Sequence, residues 1–136
     1  MYLLDTNIIS ELRKASRADQ RVVAWAQQIE PLSMYVSVIS ILEIRMGILS
    51  LQRKDREQAI ILERWLSQQV IPGFADRILS ISLPVALRCA ELHVPDHRSD
   101  RDALIAATAL HHGLAVVTRN TKDFLSTGVM VHNPWL

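Results

Sequence analysis

Short apolar runs alternate along the chain with longer segments of helical periodicity. The first run, Tyr2-Leu3-Leu4, ends at a carboxylate, and four similar runs occupy positions 34–36, 78–81, 114–118 and 129–131. Runs of this length, bounded by polar or turn residues, are typical of buried strands. The pattern therefore predicts five short strands.

The segments between these runs carry apolar residues every three or four positions, which predicts helices. Thr6 and Ser37 are the residues expected to cap two of them, and Gly113 is expected to end the last one. The predicted helices span about 7–14, 19–30, 38–51, 54–70, 84–93 and 100–112. Short buried strands that alternate with helices predict an α/β fold, in which helices cover both faces of a parallel sheet.

Composition is consistent with one folded domain over residues 1–136, because 49% of the residues are apolar and 21% are charged. The net charge of +1 provides no strong overall field for nucleic acid, so such binding would need a local patch or a metal. The single cysteine, Cys89, lies among apolar residues and is expected to be a buried thiol. The N-terminus has no basic leader and no run reaches the length of a membrane span, so we expect a cytoplasmic protein with no membrane partner.

Polar side chains follow two of the predicted strands. Asp5 follows the first strand, and Asn120 and Asp123 follow the fourth. Ligands of open parallel sheets bind beyond the carboxyl ends of the strands, which makes these residues candidates for a site. Each also has a local alternative, because Asp5 could cap a helix and Asn120 could form a capping box with Asp123.

Two further carboxylates lie on predicted helices. Glu43 sits in an apolar helix with no base three or four residues away, so it needs a metal ion or an arginine from elsewhere in the fold. Asp102 opens a helix that is almost entirely small or apolar, and its alternative role is a capping box with Ser99. Asp100 is the better candidate for capping, since it lies at the expected helix start.

Helix capping could explain some of these acids one at a time. It does not explain why several separate elements each carry a polar or acidic residue that could reach the same edge of the sheet. Carboxylate and amide oxygens are hard ligands that suit Mg²⁺ or Mn²⁺. Zinc is not indicated, because the chain has one cysteine and its histidines have no common metal-motif spacing. The sequence therefore predicts a magnesium site at the carboxyl edge of the sheet.

Four blocks of the chain, in this order, resemble the PIN domain. They are Leu3-Leu4-Asp5-Thr6-Asn7, the helix segment Ile41-Leu42-Glu43-Ile44-Arg45-Met46-Gly47, the run Asp102-Ala103-Leu104-Ile105-Ala106-Ala107-Thr108-Ala109, and Thr118-Arg119-Asn120-Thr121-Lys122-Asp123-Phe124. The ending His132-Asn133-Pro134-Trp135 is similar too, so the resemblance covers the whole chain. Within this family, the chain resembles the VapC toxins of bacterial toxin–antitoxin pairs, including the FitB-like branch.

The resemblance implies a PIN fold and a Mg²⁺-dependent endoribonuclease, with tRNA as the favoured RNA. It also implies a VapB-like antitoxin, a homodimer, and a larger toxin–antitoxin assembly that touches DNA only through the antitoxin. Asp5, Glu43 and Asp102 match the acidic triad of the family. The fourth acidic position is open, because Asn120 stands where some relatives carry aspartate and Asp123 is close by. Four residues are candidates to orient these acids or to contact phosphate: Thr6, Asn7, Thr118 and Asn120.

Two other functions stay open at this point. A PIN module with weak activity could serve as an antitoxin-binding subunit of a DNA repressor complex. A structure-specific DNA nuclease is the second alternative, since carboxylate–metal chemistry does not itself select RNA.

Overall fold

Five short strands form one parallel sheet in a computed structural model that describes residues 1–136. The order across the sheet is β3-β2-β1-β4-β5, with every neighbouring pair parallel. Tyr2 is in register with Met34 on one side and Ala115 on the other. The strands are β1 Tyr2–Leu4, β2 Met34–Ser37, β3 Ile78–Leu79, β4 Ala115–Val117 and β5 Val131–His132.

Six helices connect these strands, as the hydrophobic pattern predicts. They are α1 Thr6–Arg13, α2 Gln20–Gln28, α3 Val38–Leu51, α4 Arg56–Trp65, α5 Leu83–Leu92 and α6 Asp100–His112. The single helix predicted over 54–70 is shorter and continues as a π-helical turn at Leu66–Val70. None of the helices is both long enough and apolar enough to cross a membrane.

Side chains alternate between the two faces of the sheet, and this alternation divides the core. Leu4 and Val117 join a cluster with residues of α1 to α4. Leu3 and Val116 belong to a second cluster with residues of α6. A third cluster lies between α5 and α6 and includes Cys89, which is buried as expected. The sheet is therefore covered on both faces, and the prediction of an α/β fold is confirmed.

The helix caps differ from the prediction at one point. Thr6 is the first residue of α1, and Asp5 is its N-cap, since an Asp5 carboxylate oxygen accepts the Thr6 N–H at 2.8 Å. The assignment of Thr6 as the cap was wrong, because Thr6 is already helical and the preceding Asp5 side chain accepts its N–H. Ser37 caps α3 as predicted, and its Oγ accepts the Ile39 N–H at 3.0 Å. Gly113 ends α6 in the left-handed region, with φ 68°.

Candidate active site

Asp5 lies at the carboxyl end of the central strand β1 and is 6% exposed. One carboxylate oxygen, Oδ1, accepts the Thr6 N–H at 2.8 Å. The other, Oδ2, accepts the Thr118 hydroxyl at 2.8 Å. Thr118 follows β4, the neighbour of β1, so parallel pairing of these two strands brings the two side chains together. Asp5 thus has both the predicted position at the sheet edge and the alternative role of a helix cap.

The Thr118 hydroxyl has a defined orientation. Its oxygen accepts N–H bonds from the Asn7 amide at 3.1 Å and from the Asn120 backbone at 3.0 Å. With both lone pairs occupied, the single hydroxyl proton points to Asp5. Asn7 is held in turn, because its Oδ1 accepts the Arg119 N–H at 3.2 Å. These contacts hold the Asp5 carboxylate in one orientation.

Glu43 lies on α3 and reaches the same region through Thr6. The Thr6 hydroxyl donates to Glu43 Oε1 at 2.7 Å, and the Ser40 hydroxyl lies 3.0 Å from the Thr6 oxygen. Arg101 Nε lies 3.7 Å from Glu43 Oε2. An arginine from elsewhere in the fold therefore accompanies Glu43, but at a distance too long for a good hydrogen bond. The Glu43 carboxylate therefore remains available to bind a second cation.

Asp102 lies in the first turn of α6, where the structure shows no side-chain capping bond at Ser99. The capping-box alternative for Asp102 is therefore not observed. Burial raises the Asp102 pKa to about 6, with further contributions from the charges of Asp123, Asp5 and Glu43. The effect of these charges shows that the four carboxylates share one region.

Asp123 lies in a 3₁₀ turn, Thr121–Phe124, after β4. Asn120 precedes this turn and makes no side-chain capping bond, so the predicted box with Asp123 is also absent. The Asp123 charge raises the pKa values of both Asp5 and Asp102. The Asn120 side chain is exposed, and only its backbone N–H enters the network, through Thr118.

Burial is the main cause of a raised Asp5 pKa. Hydrogen bonds from Thr118 and Thr6 lower the pKa in part, while the charges of Glu43 and Asp123 raise it again. Neighbouring negative charges that oppose the ionisation of Asp5 and Asp102 are costly to keep together without a cation. The carboxylate oxygens are the hard donors that Mg²⁺ prefers, so the residues present fit this ion.

A cavity of about 330 Å³ opens beside this carboxylate cluster, between α1, α3 and α4. It extends from Thr6 and Glu43 to Arg13 and Trp65, where the Arg13 guanidinium lies 5.8 Å from the centre of the Trp65 ring. Of the four carboxylates, Glu43 alone lines this cavity, so a ligand in it would reach the cluster at Glu43.

Sequence reasoning missed two residues of the site, Ser40 and Arg101. Ser40 lies three residues before Glu43, and this spacing on one helix face could have identified it. Arg101 is adjacent to Asp102, but its contact with Glu43 depends on how α6 packs against α3. No local signal indicates that contact.

The family model described as PIN domain matches residues 2–129. The chain is 39% identical over 140 residues to Toxin FitB of Neisseria gonorrhoeae, and the match covers 99% of each chain. It is also 39% identical over 142 residues to VapC ribonuclease Y4jK of Sinorhizobium fredii, with 99% of this chain and 98% of that protein covered.

A solved structure extends the likeness to three dimensions. The structure of FitAB bound to the IR36 DNA fragment matches with a TM-score of 0.89 at 35% identity. The match covers 100% of this chain and 96% of that one. The arrangement of strands and helices is therefore shared over the full length.

Proposed function

The chain belongs to the PIN domain family, and from that premise we propose that it is a Mg²⁺-dependent endoribonuclease, the toxin of a toxin–antitoxin pair. One observation carries the proposal: four carboxylates from four separate elements share one region, where the nearby negative charges add to burial in raising the pKa values of Asp5 and Asp102. The four are Asp5 after β1, Glu43 on α3, Asp102 on α6 and Asp123 after β4.

Asp5, Glu43 and Asp102 are the proposed catalytic residues and metal ligands. Asp123 is the better candidate for the fourth ligand than Asn120, because it carries a charge that acts on Asp5 and Asp102, whereas the Asn120 amide is neutral. When bound there, Mg²⁺ would supply positive charge that favours deprotonation of an attacking water and offsets charge on the phosphate. Mn²⁺ offers similar ligand chemistry and is expected to substitute.

The neighbouring side chains orient the carboxylates. Thr118 directs its proton to Asp5 Oδ2, and Thr6 directs its proton to Glu43 Oε1. The other carboxylate oxygen of Asp5 is held by the Thr6 N–H. These bonds fix the acids before substrate arrives, which lowers the cost of arranging them during the reaction. Arg101, which is half exposed beside Glu43, is placed to contact a phosphate of the RNA.

The proposed partners follow from the relatives. One relative is named a toxin and another a VapC ribonuclease, which supports RNA as the substrate and a VapB-like antitoxin as the partner. A homodimer, a larger assembly with the antitoxin, and tRNA as the favoured target are further parts of this proposal. The cytoplasmic location expected from the sequence stays a prediction.

Cleavage of total cellular RNA by the purified, antitoxin-free chain tests the proposal. Reactions would contain Mg²⁺ or EDTA, and would compare the unchanged protein with Asp5→Asn and with Asp76→Asn. The second variant is the matched control, because Asp76 is exposed and lies outside the carboxylate cluster. Discrete cuts are expected from the unchanged chain and from Asp76→Asn, only with Mg²⁺, and none from folded Asp5→Asn.

Two outcomes would favour other functions. No cutting of any RNA by folded, Mg²⁺-supplied protein would favour a subunit of a DNA-bound repressor complex. The likeness to FitAB on a DNA fragment gives this alternative specific support. Cleavage of branched or single-stranded DNA in preference to RNA would instead identify a DNA nuclease.

A further inference from the structure

A second cluster of metal-ligating side chains lies where α5 leads into α6. His93 is the C-cap of α5, His97 lies in the connection, and Asp100 is the first residue of α6. Asp100 Oδ1 lies 3.5 Å from His93 Nε2 and 3.5 Å from His97 Nε2. The two imidazole rings are stacked, with 4.3 Å between their centres.

The distances fit a shared ion better than direct hydrogen bonds. An N–H···O bond is about 2.7–3.2 Å long, so neither histidine makes a good one to Asp100. Around a tetrahedral zinc ion with ligand distances of about 2.0–2.1 Å, neighbouring ligand atoms lie about 3.3 Å apart. The three potential ligand atoms lie within 4.8 Å of one another. Because the two rings are stacked and nearly parallel, one imidazole must rotate before both Nε2 atoms can bind the same ion.

We propose that His93, His97 and Asp100 bind a divalent transition-metal ion, with Zn²⁺ as the best match. Imidazole nitrogen with carboxylate oxygen suits zinc and related ions, and it differs from the all-carboxylate cluster that suits Mg²⁺. The fourth position of a tetrahedral ion would be filled by water. This inference does not depend on the nuclease activity, because it uses none of the four proposed catalytic carboxylates.

Access to the cluster is open from solvent on one side. The side chains of His97 and Asp100 are 75% and 76% exposed, while that of His93 is 17% exposed. An ion can therefore enter without unfolding, and the buried ring of His93 anchors the site to α5. His93 and His97 have the H-x₃-H spacing that occurs in zinc sites, so the expectation that no histidines have metal-motif spacing was wrong for this pair.

One hydrogen bond determines what metal binding must change. His93 Nδ1 accepts the Arg98 N–H at 3.2 Å, so the neutral ring carries its proton on Nε2. If Nε2 binds a metal ion, the ring proton moves to Nδ1. Nδ1 can then no longer accept the Arg98 N–H, so this hydrogen bond is lost. Metal binding should therefore alter the environment of the Arg98 amide.

The site would act on the position of Asp102. Asp100 and Asp102 both lie in the first turn of α6, and α5 packs against α6 through a buried cluster. An ion held by His93 and Asp100 would join the end of α5 to the start of α6. We therefore expect it to reduce motion of the connection and of the first turn of α6.

Zinc binding to the full-length chain, first freed of metals with a chelator, is the experiment. Isothermal titration with Zn²⁺ would compare the unchanged protein with His97→Gln and Asp100→Asn, whose exposed side chains can be changed without a core defect. His111→Gln is the matched control, since this exposed histidine lies at the other end of α6. Asp5→Asn is included to separate this site from the carboxylate cluster.

We expect one zinc ion per chain in the unchanged protein, in His111→Gln and in Asp5→Asn. Affinity should fall by at least about tenfold in His97→Gln and in Asp100→Asn. The Arg98 amide resonance should shift when zinc binds to the unchanged chain. Unchanged affinity in both ligand variants would overturn the proposal, as would no zinc binding by the unchanged chain or loss of binding in Asp5→Asn alone. Because the readout is binding, a failure here leaves the RNA-cleavage test unaffected.

Discussion

Asp5 combines a structural role with the proposed chemical one. Its Oδ1 caps α1, and its Oδ2 accepts the only proton that the Thr118 hydroxyl can donate. A cap alone would not require a threonine from another strand to hold the second oxygen. The orientation of this carboxylate is therefore set by the first residue of α1 and by a residue that follows β4.

Thr118→Val tests this orientation, because valine has nearly the same shape and lacks the hydroxyl. We expect the kcat/KM of RNA cleavage to fall at least about tenfold, since Asp5 loses a bond that holds it. Thr118→Ser keeps the hydroxyl and should restore most of the activity. An equal loss in the serine variant would indicate that packing, and not the hydrogen bond, is what matters.

Ionisation of Asp102 is opposed by its burial and by nearby negative charges. Its pKa, raised to about 6 by burial and by three neighbouring carboxylates, exceeds the ordinary value of 3.8. The folded chain without metal is therefore destabilised when Asp102 ionises. This cost is absent below the ordinary pKa, grows as the pH rises through the interval, and is complete above about pH 6.

Asp102→Asn should accordingly stabilise the metal-free chain at about pH 7.5. Two pKa units correspond to about 3 kcal/mol, and partial exposure reduces the expected gain to about 1–2 kcal/mol in the free energy of unfolding. Urea unfolding in EDTA at about pH 7.5 and at about pH 4.5 would measure it. The gain should shrink at the lower pH, and an unchanged gain at both values would contradict the electrostatic cause.

At the scale of elements, α3 and α6 bring their acids to the sheet edge in different ways. α3 begins directly after β2, and its cap, Ser37, is fully buried. α6 is buried along most of its length, from Ala103 to Ala109. Packing on the sheet therefore leaves only its first turn, with Asp102, beside the other carboxylates. The positions of Glu43 and Asp102 therefore depend on where α3 and α6 begin.

Ser37→Ala tests the start of α3. Loss of the bond to the Ile39 N–H should lower the free energy of unfolding by about 1 kcal/mol. Ser50→Ala is the control, because Ser50 is exposed in the last turn of the same helix. Its effect should stay within about 0.5 kcal/mol. Equal effects of the two substitutions in urea unfolding would show that the cap contributes little.

At the scale of the whole molecule, the four carboxylates connect segments that are distant in sequence. Asp5 and Asp123 are separated by most of the chain, yet the Asp123 charge raises the Asp5 pKa. An ion bound among them would favour the folded state, because the unfolded chain cannot assemble the same ligands.

Mg²⁺ should therefore raise the melting temperature of the unchanged chain. At a concentration of about 100 times the dissociation constant, the folded state gains about 2.7 kcal/mol, which corresponds to a rise of several degrees. Thermal unfolding in EDTA and in Mg²⁺ would measure the shift, with NaCl of equal ionic strength as the control. A shift of the same size in NaCl, or in Asp5→Asn, would show that the ion acts only by screening.

The sequence alone determined the elements and the acids. Five strands and six helices followed from the spacing of apolar residues, because periodicity is a local property. The limits of α6 were predicted at both ends, since an acidic start and Gly113 mark them. The resemblance to the PIN domain, and the prediction that Asp5, Glu43 and Asp102 form an acidic triad, came from motifs that need no three-dimensional information.

Only the tertiary structure decided how the side chains meet. The approach of Arg101 to Glu43 and the grouping of His93 with His97 and Asp100 depend on packing and on the path of connections. The π-helical turn after α4 also gave no signal in the hydrophobic pattern. The local sequence determines whether a segment forms a helix or a strand. Contacts between segments depend instead on how their side chains pack together in a dense interior, which involves residues far apart in the chain.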